Sequence, residues 1–190
     1  IHSAIEVASA TGNNNHAVTG NVIGYASAAG TGVYDFVGAA AGSKFLAIRF
    51  ANAGSTTASS VQGNTITAIS LSGVVGGTNT TPAFAGIVVN SGAVDIGNVT
   101  GNTVGSSGSA GAITVASNNG SGMEVYGIHY FPNLAINISN NTIAGISAAN
   151  SGAGSLVVYG IRAQAGAVVH TLANNIVGTA TGPIGNSSTS

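Results

Sequence analysis

The chain has 190 residues, of which only 4% are charged, and its formal net charge at pH 7 is −1. Its 3 basic residues are too few to form the clustered Lys and Arg patch that binds nucleic acid, so we expect no nucleic-acid partner. The absence of Cys excludes disulfides and thiolate metal sites. No apolar run approaches the roughly 18 residues of a membrane span, so we also expect no membrane insertion.

The remaining composition favours regular extended structure. Hydrophobic residues make up 44% of the chain and are spaced regularly, whereas disordered segments are poor in such residues. Gly and β-branched residues are poor helix formers, and no stripe of apolar residues with a period of about 3.6 is sustained.

The chain divides into short extended segments separated by turn residues. In chain order these are Ile1–Val7, Ala17–Ile23, Thr31–Val37, Phe45–Phe50, Val61–Leu71, Phe84–Val89, Val94–Val104, Val125–Phe131, Leu134–Ile146, Leu156–Ala163 and Val168–Val177. Apart from the inserted arm at Thr31–Val37, they recur in a fixed order, which is typical of a solenoid.

The repeat has two anchors. The first is an Asn followed two positions later by an aliphatic residue, and its spacings are 43, 38, 39 and 34 residues. These residues are Asn21, Asn64, Asn102, Asn141 and Asn175. The residue three positions earlier is always aliphatic: Val18, Val61, Val99, Ile138 and Leu172.

The second anchor is an Ile preceded by Gly or Ala. It occurs as Ile5, Ile48, Ile87, Ile128 and Ile161, which we expect to stack as an inward column. By alternation, the next column points outward: Glu6, Arg49, Val88, His129 and Arg162. The interval from Ile to Asn is nearly constant, while the interval from Asn to Ile varies. We therefore expect the loops within 30–43, 76–83, 105–122 and 148–155 to emerge on one side.

These patterns predict an all-β fold, a single-stranded parallel β-helix with about five coils of roughly 38 residues and three short strands per coil. Because each coil buries its apolar face only against its neighbours, residues 1–190 form one domain, which starts and ends in mid-coil. Neither end resembles a polar cap. If residue 190 were followed by residue 1 of another copy, the interval from Asn175 to Ile5 would be 20 residues, the same as from Asn141 to Ile161.

The anchor asparagines are interpreted as a structural ladder, because stacked amides can hydrogen-bond from coil to coil. The adjacent column, Val22, Thr65, Thr103, Thr142 and Ile176, leaves ice binding open as an alternative to the ordinary β-propensity of Thr.

The sequence offers no catalytic residues, cofactor or metal site. The 4 acidic residues, Glu6, Asp35, Asp95 and Glu124, fall in different repeats, and His2, His16, His129 and His170 are also scattered. We therefore expect the protein not to be an enzyme. Tyr126, Tyr130 and Tyr159 are candidates for stacking on sugar rings, with packing of the sheet as the alternative.

The stretches Asn140–Ser147, Val125–Ile128 and Val158–Ile161 resemble the Asn/Gly/Ser/Thr-rich right-handed parallel β-helix repeats of long secreted or cell-surface bacterial proteins, especially Bacteroidota-like adhesin and fibre proteins. The resemblance covers the whole chain. It implies an extracellular or cell-surface location and a role in an adhesin, sheath or fibre.

Two functional hypotheses follow. The first is a non-enzymatic structural β-solenoid whose partners are copies of itself, stacked head to tail, or the flanking coils of a longer chain. The second is a β-helix that binds or cleaves carbohydrate, as tailspikes and lyases do, with surface glycans as its partners.

Overall fold

The computed structural model describes residues 1–9, 14–37, 43–73, 77, 80–118, 120, 122–132, 134–164 and 168–188. All regular secondary structure in these ranges is β-strand, arranged in four parallel sheets of five strands each. They contain no helix that is long and apolar enough to cross a membrane.

The four sheets are named A to D in the order in which the chain visits them. Sheet A consists of β1 (His2–Ala8), β5 (Phe45–Asn52), β9 (Phe84–Val89), β13 (Met123–Tyr130) and β17 (Leu156–Ala163). Sheet B consists of β2 (Ala17–Thr19), β6 (Ser59–Gln62), β10 (Val94–Ile96), β14 (Asn137–Ser139) and β18 (Thr171–Ala173). Sheet C consists of β3 (Val22–Gly24), β7 (Thr65–Thr67), β11 (Thr103–Gly105), β15 (Thr142–Ala144) and β19 (Ile176–Val177). Sheet D consists of β4 (Tyr34–Val37), β8 (Ile69–Ser72), β12 (Ile113–Ser117), β16 (Ile146–Asn150) and β20 (Ile184–Ser188).

Each strand pairs with the strand four places further along the chain, so the chain passes through sheets A, B, C and D before returning to A. This topology is consistent with the predicted parallel β-helix. The prediction of three strands per coil is not confirmed, because the chain also forms a strand of sheet D before it returns to sheet A. Along the chain, a strand of sheet D can be separated from the preceding strand of sheet C by a single residue in the left-handed conformation. Examples are Ala68 with φ of 53° and Gly145 with φ of 65°. An apolar run that crosses such a residue looks like one segment although the chain turns a corner there.

The variable Asn-to-Ile interval contains two corners instead of one. The corner from sheet C to sheet D spans residues 25–33, 68, 106–112, 145 and 178–183, and the corner from D back to A spans 38–44, 73–83, 118–122 and 151–155. Residues 38–42, 74–76, 78–79, 119 and 121 lie outside the described residues. The expectation that all of these loops emerge on one side is therefore corrected, since sheet D separates the two corners.

The core consists of aliphatic columns that face inward from all four sheets. The predicted Ile column of sheet A is confirmed, because Ile5, Ile48, Ile87, Ile128 and Ile161 are paired residue by residue. Parallel columns come from sheets B, C and D, and their central members are at most 1% exposed: Val61, Ile96, Ile138, Ile66, Val104, Ile143, Ile69, Ile113 and Ile146.

The third repeat differs from the expected alignment. Ile96 pairs with both Val61 and Ile138, so the third-repeat equivalent of these residues is Ile96 and not Val99, the aliphatic residue three positions before Asn102, which is 81% exposed. The residues between Ile96 and Asn102 form a bulge. Gln62, which belongs to the second repeat, binds this bulge through its side chain. Its Oε1 accepts hydrogen bonds from the N–H groups of Val99 at 3.1 Å and of Thr100 at 3.0 Å.

In the last three repeats the residue before the Ile anchor is Gly, and there sheets A and C approach each other closely. A Cβ atom placed on Gly127 would lie 2.3 Å from Cγ2 of Ile143 and 2.5 Å from the carbonyl oxygen of Gly160. The equivalent atom on Gly86 would lie 2.5 Å from Cγ1 of Val104. In these repeats the interior is therefore too narrow for a side chain at this position, whereas the first two repeats hold Ala4 and Ala47 there.

We predict that Gly127→Ala lowers the free energy of unfolding by about 1–3 kcal/mol, because the methyl group overpacks the core against Ile143. Equilibrium denaturation measures the difference. Gly185→Ala is the matched control, since a Cβ on this strand glycine meets no atom within 4 Å. Equal effects of the two substitutions would contradict the close approach of sheets A and C.

Candidate functional site

The five anchor asparagines form a continuous ladder at the corner between sheets B and C. Each amide donates a hydrogen bond from Nδ2 to Oδ1 of the next Asn, over 2.9 Å for the first three pairs and 3.0 Å for Asn141 and Asn175. The backbone N–H of the same donor residue also bonds to that Oδ1, over 3.0 Å in all four pairs. The predicted stacking of Asn21, Asn64, Asn102, Asn141 and Asn175 is thus present in the structure.

The second Nδ2 hydrogen of each internal amide is donated to a backbone carbonyl of the preceding repeat. Asn64, Asn102 and Asn141 donate to the carbonyl oxygens of Val18, Val61 and Ile96, over 2.9, 2.9 and 3.0 Å. Each of these three amides is 1% exposed and uses both donors and its acceptor. Buried polar groups are tolerated when they are paired in this way, so the ladder stabilises the corner.

The two ends of the ladder are different from each other. Among the described residues, the Oδ1 atom of Asn21 accepts no hydrogen bond, although Oδ1 of each later Asn accepts two. At the other end, Asn175 donates from Nδ2 to the Ile138 carbonyl over 2.8 Å, but its N–H and its second Nδ2 hydrogen have no acceptor in this part of the chain. One end therefore presents an acceptor and the other end presents donors.

The end that carries Asn175 also exposes apolar side chains. Val177 continues the buried column of Ile66, Val104 and Ile143 but is 50% exposed, and Leu172 on sheet B is 49% exposed. The opposite end instead forms an open concavity of about 550 Å³. Its lining includes His2, Ile5, Asn21, Ile23, Tyr34 and Phe45.

The threonine column lies on the outer face of sheet C, where Thr65, Thr103 and Thr142 are paired side by side and partly exposed. The column is flanked by Val22, which is 65% exposed, and Ile176, which is 50% exposed. In the strands of these threonines, the next outward position holds Thr67, Gly105 and Ala144. A second row of hydroxyls is therefore not formed beside the first.

The structure brings together two of the three candidate sugar-stacking tyrosines. Tyr126 and Tyr159 are paired on sheet A, and their rings stack with centroids 5.5 Å apart. Tyr126 is fully buried, and its ring also lies 4.4 Å from that of His129, so neighbours occupy its surface. Tyr130 lies in the interior and donates a hydrogen bond to the Gly92 carbonyl over 2.9 Å. Only Tyr159, at 39% exposure, presents a ring to solvent.

A polar network joins this pair to its neighbours. The Tyr126 hydroxyl donates to the Glu124 carboxylate, and Arg162 donates to the Tyr126 hydroxyl oxygen over 2.6 Å. Burial raises the pKa of Tyr126 well above its usual value and Glu124 adds to this effect, while Arg162 opposes it. Burial also raises the pKa of Tyr130, with a smaller contribution from Asp95. These contacts favour a packing role for Tyr126 and Tyr159.

The four acidic residues lie far apart in the topology. Glu6 and Glu124 are on sheet A but are separated by β5 and β9, Asp35 is on sheet D and Asp95 is on sheet B. Glu6 forms an ion pair with Arg49 at 3.0 Å, and Asp95 accepts a hydrogen bond from the Asn137 N–H over 2.9 Å. Within the described ranges, no three His, Cys, Asp or Glu residues are grouped closely enough to hold a metal ion.

Some interactions of the structure were missed by the sequence analysis. The hydrogen bonds from Gln62 to the bulge before Asn102 could not be predicted from the repeat, because the residue paired with Gln62 in the first repeat is Thr19 and the equivalent residue in the fourth repeat is Ser139. The outward column was identified correctly, but Val88 and His129 in it are fully buried, and Val88 packs with Leu46, Ala85 and Tyr126 in a second apolar cluster. Alternation predicts direction and does not predict exposure.

Comparison with models of protein families, with curated proteins and with solved structures finds no match for this chain.

We predict that Asn102→Leu destabilises the fold by at least about 1–3 kcal/mol, the cost of one buried polar group without a partner. The substitution removes the acceptor of the Asn64 N–H and the donor to the Val61 carbonyl. Asn21→Leu is the matched comparison. It should lower the free energy of unfolding by less than Asn102→Leu, because Oδ1 of Asn21 receives no hydrogen bond among the described residues. Denaturant unfolding of both variants checks the order, and a smaller effect at Asn102 would contradict the ladder as a source of stability.

Proposed function

We propose that this chain is a non-enzymatic structural protein of the cell surface or extracellular space, a β-solenoid segment of a fibre, sheath or adhesin that is extended by end-to-end stacking of coils. The observation that carries the proposal is that every repeat has the same four parallel strands and the same ladder amide, so that each coil offers the next one an equivalent set of hydrogen-bonding groups and apolar columns.

The apolar residues at the Asn175 end support stacking on energetic grounds. In the middle of the solenoid, the equivalents of Val177 are 0% exposed because the next strand of sheet C covers them. Covering a half-exposed Val, Leu or Ile contributes roughly 1 kcal/mol. A further coil over this end would cover Leu172 and Val177, and would pair the open edges of all four sheets.

The edges themselves favour the same conclusion. Open parallel edges present unpaired N–H and C=O groups that template further strands. A further solenoid coil of the same kind would pair with the N–H and C=O groups of all four edges at once. Such a coil can come from a flanking stretch of the same polypeptide or from another copy.

The ionisable groups favour a structural role over catalysis. Glu6 and Glu124 each contact an Arg at the surface of sheet A, and Asp95 accepts a hydrogen bond from the backbone of the next repeat. Acid–base hydrolysis of glycosides uses two carboxyl groups within about 5–10 Å on either side of the bond that is cleaved. The four acidic residues lie on four different strands, and none of the residues paired with them on neighbouring strands is acidic, so no carboxyl pair is formed between neighbouring strands.

We predict that the isolated chain forms rods whose length grows with concentration while their width stays constant. Sedimentation velocity over a concentration series, with electron microscopy of the same samples, measures this. Leu172→Asp should shift the distribution towards monomer, because stacking would bury the new charge.

The control for added charge is Val99→Asp, because Val99 is 81% exposed in the bulge before Asn102 and lies away from both ends. It should stack like the unmodified chain. A chain that sediments as a monomer at every concentration would overturn stacking between copies and leave only extension by flanking coils of the same polypeptide.

A further inference from the structure

We propose that the groove over Ala68, at the corner between sheets C and D, is a binding site for an uncharged saccharide. The groove lies between the loops of the first and third repeats, so its lining does not depend on which residues precede or follow the chain. A saccharide site adds a binding activity to the proposed structural role and does not depend on stacking.

The groove exists because this corner is alternately long and short. The first, third and fifth repeats turn it over residues 25–33, 106–112 and 178–183. The second and fourth repeats turn it at the single residues Ala68 and Gly145. Each single-residue corner therefore lies at the bottom of a gap between two longer loops.

The chain itself closes the gap in the fourth repeat. Thr179 and Thr181 of the fifth repeat donate their hydroxyl hydrogens to the Ser107 carbonyl of the third repeat, both over 2.7 Å. A Cβ atom placed on Gly182 would lie 2.2 Å from the Ser106 carbonyl oxygen, so the two loops are in contact. In this gap, hydroxyl groups of one repeat bind the loop of another.

The gap in the second repeat is open. It forms a groove of about 510 Å³, a volume typical of small-molecule sites, and Ala68 lies at its base. Tyr25 lines it from the first repeat, and Ser106 and Ser109 line it from the third. The loops on either side thus leave room for a ligand where the fourth repeat has the chain's own hydroxyl groups.

The charge around the groove favours an uncharged ligand. Among the described residues that line it, none is Lys, Arg, His, Asp or Glu. An ionised ligand would therefore be desolvated without a counter-charge. The carboxylate of Asp35 lies beside the groove, because Asp35 pairs with the lining residue Ser70. It repels anions and accepts hydrogen bonds from hydroxyl groups.

The polar side chains that line the groove all carry hydroxyl groups. Those that are at least partly exposed, apart from Tyr25, are Ser70, Ser106, Ser109 and Thr114. An aliphatic hydroxyl both donates and accepts hydrogen bonds, and so does each hydroxyl of a sugar. The lining therefore matches the hydrogen-bonding groups of a saccharide.

Tyr25 supplies an aromatic side chain to the same groove. It is partly exposed, and its side chain has no ring or hydrogen-bond partner among the described residues. Tyr126 and Tyr159, by contrast, stack on each other with ring centroids 5.5 Å apart. The face of an aromatic ring is negative and attracts the weakly positive C–H groups of a sugar ring.

Two residues of the groove have an unusual backbone conformation. Tyr25 has φ of 56° and Ala68 has φ of 53°, a region that few residues other than Gly adopt. The remaining non-Gly residues with positive φ in the described ranges are Asn15, Asn140 and Asn174. Asn tolerates this conformation, whereas Tyr and Ala are strained in it, and backbone strain is concentrated at functional sites.

Saturation-transfer NMR tests the site, because it detects weak binding to monomers and to stacked chains alike. The neutral probes are cellotriose, maltotriose, mannotriose and chitotriose, and a galacturonic acid trimer is the charged comparison. We expect saturation transfer to at least one neutral probe at about 10 mM and weaker transfer to the acidic trimer. No transfer to any neutral probe, or stronger transfer to the acidic trimer, would overturn the proposal.

Variants of the unmodified chain locate the binding. Tyr25→Asn removes the ring and keeps a residue that suits the left-handed backbone, so we expect a folded chain that binds at least about threefold more weakly. Tyr25→Phe keeps the ring and should keep the affinity. Tyr159→Asn is the matched control, because it removes a ring that is 39% exposed outside the groove. Unchanged binding by Tyr25→Asn, or an equal loss in Tyr159→Asn, would overturn the site.

A third variant blocks the groove without touching Tyr25. Ala110→Trp places a bulky side chain on an exposed loop residue of the lining, and it should abolish saturation transfer while circular dichroism shows an intact fold. Sedimentation of the same samples separates the site from the proposed function. A monomeric chain that binds a neutral probe supports the site while stacking between copies fails, and a stacked chain that binds none overturns the site alone.

Discussion

The asparagine ladder is the constraint on which the other features of this solenoid depend. Its hydrogen bonds hold the corner between sheets B and C at the same position in every repeat, although the residues they join are separated by 43, 38, 39 and 34 positions in the chain. Because both donors and the acceptor of each internal amide are used, a displaced repeat would leave buried polar groups without partners. The aliphatic columns on either side are thereby aligned.

Insertions are accommodated where the ladder does not reach. The corners from C to D and from D to A differ in length from repeat to repeat, and the longer ones support each other. Thr179 and Thr181 both donate side-chain hydrogen bonds to the Ser107 carbonyl over 2.7 Å, which joins the long corner of the fifth repeat to that of the third. The fourth repeat turns this corner at Gly145, whose N–H donates to the Gly182 carbonyl over 2.9 Å. Each repeat therefore combines a part that the ladder aligns with corners whose length varies.

The same ladder gives the molecule a direction. A β-sheet edge can pair with another edge in more than one orientation, so the sheets by themselves do not select an orientation. The amides have donors on one side and an acceptor on the other, so all of the ladder hydrogen bonds run in the same direction along the column.

The sequence by itself determined the period, the parallel all-β class, the inward Ile column of sheet A and the stacked asparagines, because each depends on a residue type that recurs at an equivalent place. Only the tertiary structure decided the number of strands in each repeat, since a single left-handed residue such as Gly145 separates two of them. It also decided the register of the third repeat, where Ile96 and Val99 are both aliphatic and only pairing shows which one is inward. The burial of Tyr126 and Tyr130 likewise depends on packing between distant segments, which spacing along the chain does not record.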